Sequence, residues 1–163
     1  MINVIIDTRE QRPWSFDPHV VKATIGTLPA GDYALAGDGS FAIERKSLND
    51  FVGTISSGWD RFLRQLTRMA GHDARVIIVE GQFWQCCCTG KGDQFHPPVH
   101  DHCLVTPQFV AKQIAVLTLM RVSVLFAEGP ELASGLAYAI LRERSYALYS
   151  ISGQSGASAV PQA

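Results

Sequence analysis

Short apolar runs alternate with stretches of helical periodicity along this chain, and that alternation limits its fold more than any other feature. Val4-Ile5-Ile6, closed by Asp7, has the continuous apolar character of a buried strand. Gly31–Leu35 and Phe41–Lys46 read as two extended segments joined by Gly37-Asp38-Gly39, a tight hairpin turn. Ser47 then offers a helix N-cap, with Asp50 in the capping-box position three residues on. That helix breaks near Ser56-Ser57-Gly58 and resumes at Trp59, placing Phe62, Leu63, Leu66 and Met69 on one apolar face. Arg75–Glu80 and Val122–Phe126 are further core strands. Between them lies a helical pattern over Pro107–Leu119, with Pro107 suited to a first turn. A last helix runs from Pro130 to about Tyr146. The order strand, hairpin, helix, strand, helix, strand, helix predicts an α/β fold with a mixed β-sheet flanked by helices.

One domain accommodates these elements, since 163 residues are too few for two. It is expected over residues 1–149. The stretch 82–106, rich in Gly, Pro, His and Cys, is expected as a loop insertion, and the Ser/Gly/Ala/Gln-rich segment 150–163 as a disordered tail. With 47% hydrophobic and 18% charged residues, the chain is neither disordered nor fibrous. Fourteen Lys+Arg against 15 Asp+Glu leave a net charge of -1, so nucleic-acid binding has to come from a local patch or from metal ions. The apolar runs are far shorter than the roughly 18 residues of a membrane span, and the start lacks a basic, then apolar, secretory pattern. The expected location is cytoplasmic. Three adjacent cysteines, Cys86, Cys87 and Cys88, with Cys103 apart, suit free thiols better than a disulfide framework.

The hairpin brings acids together. A three-residue loop at Gly37–Gly39 makes Asp32 face Glu44, with Ala34–Ala42 and Ala36–Ser40 the next pairs. Side chains alternate along a strand, so Glu44 and Lys46 share the face of Asp32. Two carboxylates placed opposite one another repel, and a divalent cation between them supplies a reason for the pairing. The small alanines on that face leave room for a ligand. Asp7 ends the first strand, and Glu10 follows in the turn. Asp7, Glu10, Asp32 and Glu44, with Asp50 as a further candidate, therefore make an oxygen-rich site for a hard cation such as Mg²⁺, with Lys46 beside it. That set suits metal-assisted phosphodiester hydrolysis, the acids holding the cation and the lysine orienting or deprotonating water.

Asp7-Thr8-Arg9-Glu10, then Gly31-Asp32-Tyr33, then Ile43-Glu44-Arg45-Lys46-Ser47-x-x-Asp50 occur in order. Together they resemble the XPF-type structure-selective nuclease domain, over roughly residues 2–146. Its signature is Gly-Asp, a spacer, then Glu-Arg-Lys-x-x-x-Asp, preceded by an Asp-x-Arg-Glu strand end. The resemblance implies a restriction-endonuclease-like fold and Mg²⁺- or Mn²⁺-dependent cutting of branched, flap or fork DNA. It implies metal-site roles for Asp7, Glu10, Asp32 and Glu44, water handling by Lys46 and a phosphate contact by Arg45, with Asp50 and Arg9 completing the motifs. It also implies pairing through the last two helices, as a homodimer or with a partner subunit. The likeness is to a stand-alone domain, because the helix-hairpin-helix modules and helicase of many family members have no counterpart in these residues.

Several readings stand side by side. A catalytically silent DNA-binding partner is one alternative, although such subunits normally lose motif carboxylates that this chain keeps. A four-way junction resolvase of the same sheet is another. Arg45 alternates to the face opposite Glu44, where a structural ion pair competes with a phosphate contact, and Asp50 has capping as a second role. Arg61, Arg64 and Arg68 form one helical stripe, either a DNA-phosphate ridge or a solvated face. His96, His100, His102 and Cys103 lack a Cys-x-x-Cys partner, which favours incidental loop residues over a structural zinc. Phe83 and Trp84 are expected as anchors on the core.

Overall fold

The structure, a computed structural model, describes residues 1–68, 74–87 and 105–155, without the side chains of 68, 74 and 151–155. Six strands form one sheet: β1 (Ile2–Asp7), β2 (Val21–Gly26), β3 (Tyr33–Leu35), β4 (Phe41–Ser47), β5 (Ala74–Glu80) and β6 (Val122–Ala127). Their order is β2-β1-β3-β4-β5-β6. Strand β3 is antiparallel to β1 and β4, and every other neighbouring pair is parallel. The remaining five strands therefore end at the same edge of the sheet, the usual place for a site in an α/β fold.

The strand period of two splits the sheet residues between two cores. On one face, Val4, Ile6, Tyr33, Ile43, Val76 and Ile78 pack under α4 (Gly129–Ser155) through Ala133, Ala137 and Leu141. On the other, Ile77, Val79 and Val122 meet three helices: α1 (Leu48–Ile55), α2 (Trp59–Arg68) and α3 (Pro107–Leu119). Ser47 caps α1, its side chain accepting from the Asp50 N–H, and Thr106 caps α3 ahead of Pro107. Helix α1 stops where Ser56 turns its Oγ back onto the Val52 carbonyl at 2.6 Å, competing with the helix ladder.

Three expectations need revision. Strand β2 went unread, because only Val21 of its residues is buried and it lacks an apolar period. Residues 150–155, assigned to a tail, continue α4, which is held past Tyr146 by Leu148 on the core. Phe83 does meet Phe126 edge-on, at 5.9 Å between centroids, but Trp84 stays half exposed. Met69, Cys88, His96, His100, His102, Cys103 and residues 156–163 lie outside the described residues, and so does the zinc question.

Candidate active site

Register builds an acid row. Ile6 pairs with Tyr33, and Tyr33 with Ile43. Tyr33 opposite Ile43 is the register the hairpin reading expected; one step further along the β1 ladder Asp7 stands beside Asp32, which precedes β3 and reaches β4 through the Arg45 N–H. The Asp7 N–H donates to the Asp32 carbonyl, and the Asp32 N–H to the Ile43 carbonyl, each at 2.8 Å. Three carboxylates thus cross three adjacent strands at the carboxyl edge, on the α1–α2 face, with Lys46 next along that face. Gly31 makes the approach possible. Its φ is +72°, and a Cβ there would lie 2.7 Å from the Ala42 Cβ and 3.0 Å from the Ile43 carbonyl oxygen.

The three acids are electrostatically unlike. Asp7 is buried; its Oδ1 accepts from Arg9 Nε at 2.6 Å and its Oδ2 from the Leu28 N–H at 2.7 Å. The Arg9 hydrogen bond, opposed by burial and helped by Leu28, holds this carboxyl well below the usual range. Asp32 is pushed the other way, up to about 7, by burial and then by the Glu44 charge, against a 2.8 Å hydrogen bond from the Arg45 N–H to Oδ2. Glu44 keeps Lys46 Nζ 3.4 Å from its Oε1.

The four-acid metal set is not drawn together as expected. Among the described residues, no three His, Cys, Asp or Glu side chains converge on a point that could hold an ion. Asp7 is saturated by Arg9 and Leu28. Glu10 turns toward Arg45, its Oε1 3.6 Å from Arg45 Nη1, and also accepts from the Arg12 N–H. Asp32 and Glu44 remain, two hard oxygen donors with excess negative charge, and that donor set fits a divalent cation.

Arg45 lies on the other face of the sheet, as alternation requires. It forms a two-point ion pair with Glu80, Nε to Oε1 at 2.8 Å and Nη2 to Oε2 at 2.7 Å. Its guanidinium therefore does not share the cleft of Glu44, and the competing structural role is the one the geometry supports. Asp50 accepts from Ser47 Oγ at 2.7 Å, serving the cap. A cleft of about 360 Å³ beside the acids is lined by Arg9, Ala30, Gly31, Asp32, Glu44 and Gln65. A polar groove of about 610 Å³ is lined by Arg45, Lys46, Asn49, Asp50, Thr54 and Arg61. Arg64 is exposed on α2, while the Arg68 side chain lies outside the described residues. Sequence reasoning missed Gln65, Trp14 and Glu80. Glu80 ends an apolar strand just as Asp7 does, and that shared signal was available.

A mixed sheet that lines up carboxylates and a lysine on one face of its carboxyl edge has the build of an α/β nuclease domain. The chain belongs to the ERCC4 domain family, whose profile matches residues 6–140. It is 34% identical over 79 residues to the DNA repair endonuclease XPF of Drosophila melanogaster. That match takes in 47% of this chain but only 8% of the relative. XPF from Aeropyrum pernix superposes with a TM-score of 0.63 at 25% identity, covering 93% of this chain and 69% of that one. The same protein in complex with DNA gives 0.62 at 27% identity, covering 90% and 66%. The XPF-type resemblance and the α/β fold it implied are thereby established.

Proposed function

We propose that this domain is a divalent-cation-dependent DNA endonuclease acting on branched, flap or fork DNA. The observation that carries the reading is that Asp32 and Glu44 line one cleft close enough to repel, with Lys46 Nζ 3.4 Å from Glu44 Oε1. Like charges held close on a sheet are destabilising, so this pair calls for a counter-charge. Asp32 and Glu44 would hold Mg²⁺ or Mn²⁺, which supplies charge stabilisation on the attacking and leaving oxygens of an in-line displacement. The Arg45 N–H fixes Asp32 by its Oδ2. Lys46, poised beside Glu44, donates to and orients the attacking water. Arg9 borders the cleft and contacts DNA phosphate, and Arg61, Arg64 and Arg68 follow the backbone along α2. Products are 5′-phosphate and 3′-hydroxyl ends.

The likeness to XPF from Aeropyrum pernix in complex with DNA supports a DNA substrate. Pairing as a homodimer or with a partner subunit belongs to the same reading. It is supported by exposed Leu132, Tyr146 and Tyr149 on α4. No helix among the described residues is long and apolar enough to cross a membrane. A cytoplasmic location completes the proposal and suits Cys86 and Cys87, which are buried thiols and not a disulfide.

The test is cleavage of 3′-flap, fork, four-way junction, single-stranded and linear duplex DNA with Mg²⁺, Mn²⁺ or EDTA, beside Asp32→Ala. Cation-dependent nicking that Asp32→Ala lacks is expected, strongest on flap or fork DNA. Preference for the four-way junction makes the domain a resolvase. Binding without cutting under either cation overturns the enzyme reading in favour of a silent partner.

A further inference from the structure

We infer that Glu80, which takes no part in the chemistry above, is the positioning residue of the acid row, acting through Arg45 from the opposite face of the sheet. This inference rests on the nuclease reading for its effect on cutting, but its effect on cation binding stands apart from it. Glu80 closes β5 at the same edge as the acids, and its side chain is only 14% exposed. Both carboxylate oxygens are engaged by Arg45, and a two-point pair of this kind fixes the plane of the guanidinium as well as its place. Glu80 is itself held: Trp14 Nε1 donates to its Oε1 at 2.7 Å. Trp14 in turn stacks on Tyr33, with centroids 4.5 Å apart and planes 13° from parallel. Tyr33 is the chain neighbour of Asp32, so the clamp and the acid share one rigid support.

Arg45 transmits the constraint in two directions. Its backbone N–H donates to Asp32 Oδ2 at 2.8 Å. Strand β3 begins only at Tyr33, so on the β3 side this N–H has run past the backbone ladder and meets a side chain instead. Residue 45 is held twice, its backbone by the ladder that pairs it with Ile78 and its side chain by the Glu80 clamp. The same guanidinium also faces Glu10 Oε1 at 3.6 Å. Glu80 thus fixes Arg45, and Arg45 places Asp32 and Glu10. By matching the Arg45 charge on the far face, Glu80 also keeps that cation from competing for the acids. Residues of this kind, behind the groups that hold a metal, typically change affinity or activity by about 10–100-fold when lost.

The experiment uses the full chain as parent, Glu80→Gln, Glu80→Asp, Arg45→Met and the double variant Arg45→Met/Glu80→Gln. Mn²⁺ binding to the DNA-free protein is read by electron paramagnetic resonance of free Mn²⁺. Single-turnover cleavage of a forked duplex and thermal melting are measured on the same samples. Glu80→Gln is expected to raise half-saturating Mn²⁺ by about 10-fold and to lower the rate similarly, with KM for DNA unchanged. Glu80→Asp keeps the charge but reaches Arg45 less completely, and is expected between the two. It carries the test should Glu80→Gln not fold. The double variant is expected to be no worse than Arg45→Met alone, because both changes cut one path. Parental Mn²⁺ binding by Glu80→Gln, or losses that multiply in the double variant, overturn the inference. A parent that binds Mn²⁺ and cuts nothing removes the nuclease reading while the binding series still decides the role of Glu80. A parent that binds no Mn²⁺ overturns both.

Discussion

Asp32 carries the conflicting demands of this site, since burial and then the Glu44 charge raise its carboxyl to about 7 while an unfolded aspartate titrates near ~4. Between those values the folded chain holds a proton the unfolded chain has lost. Rising pH therefore removes stability across that window, and the loss is complete above about 7. In EDTA, the melting temperature of Asp32→Asn relative to the parent is expected to climb from pH 4 to 7. It should settle about 2–4 °C above the parent at pH 8, the shift that ~1 kcal/mol makes in a chain of this size. Mn²⁺ should close that gap by stabilising the parent; equal melting in EDTA at pH 8 would mean that the carboxylates do not repel. Glu44→Gln and Lys46→Ala are expected to lose about 100-fold or more in single-turnover rate while staying folded, and Glu44→Gln, which relieves the same repulsion, should melt no lower than the parent in EDTA at pH 8. Folded variants with parental rates would take both residues out of the chemistry. Asp32 and Glu44 were legible as a pair because Gly37-Asp38-Gly39 sets the hairpin loop, and the loop sets who faces whom. Which acid keeps its charge was not legible. That depends on Arg9 and the Leu28 N–H closing on Asp7, and on Glu80 meeting Arg45 from 35 positions away.

Elements were readable wherever one face is buried against a partner and lost where it is not. Helix α3 was bounded correctly by Thr106-Pro107 at its start and by the run to Leu119. Strand β2 is an edge strand paired on one side only, so Lys22, Ala23, Thr24 and Ile25 point to water and carry no pattern. Helix α4 depends on a tie that periodicity does not reveal. Arg144 donates from Nε to Asp38 Oδ2 at 2.8 Å and from Nη2 to Ser40 Oγ at 2.7 Å, joining the helix to the turn of the hairpin that presents the acids. Burial works against the Asp38 carboxylate, but the hydrogen bonds from Arg144 and Ser40 outweigh it and lower its pKa. The Asp38 side chain is 4% exposed, so Arg144→Met leaves a buried carboxylate without its cation. A cost of about 2 kcal/mol is expected, or about 4–8 °C in melting temperature. The sign with pH is opposite to that of Asp32. Stability from this tie is present above the unfolded pKa and lost as pH falls through the lower folded one, so the parent–variant gap should narrow below about pH 4. A gap that is constant from pH 7 down to pH 3 would mean that the tie contributes through packing alone.

At the scale of the whole molecule, charge bears on how the proposed DNA substrate would be held. A net charge of -1 gives no long-range attraction, so affinity has to come from the few cations gathered at one edge. Lys46, Arg61 and Arg64 lie along the groove and helix beside the acids, and Arg9 borders the cleft. Each cation that neutralises a phosphate adds roughly -0.9 to the slope of log K against log[salt]. A single domain using three or four of them is expected to give a slope of about -3 in anisotropy titrations with forked DNA, run in EDTA between 50 and 200 mM NaCl. Arg61→Ala should weaken binding evenly across DNA shapes and reduce the slope by about 1. Self-association enters the same measurement. The exposed Leu132, Tyr146 and Tyr149 lie on α4, which covers the opposite face of the sheet from α1 and α2. Pairing through α4 would leave both acid rows open and put two cation sets on one molecule. A dimer engaging DNA with both would double the slope to about -6, and Tyr149→Lys, by blocking the pair, would return it to about -3. Sedimentation equilibrium on the same two proteins separates the cases: a monomer with a slope near -3 rules out pairing through α4, and a dimer with that slope means only one protomer holds DNA at a time.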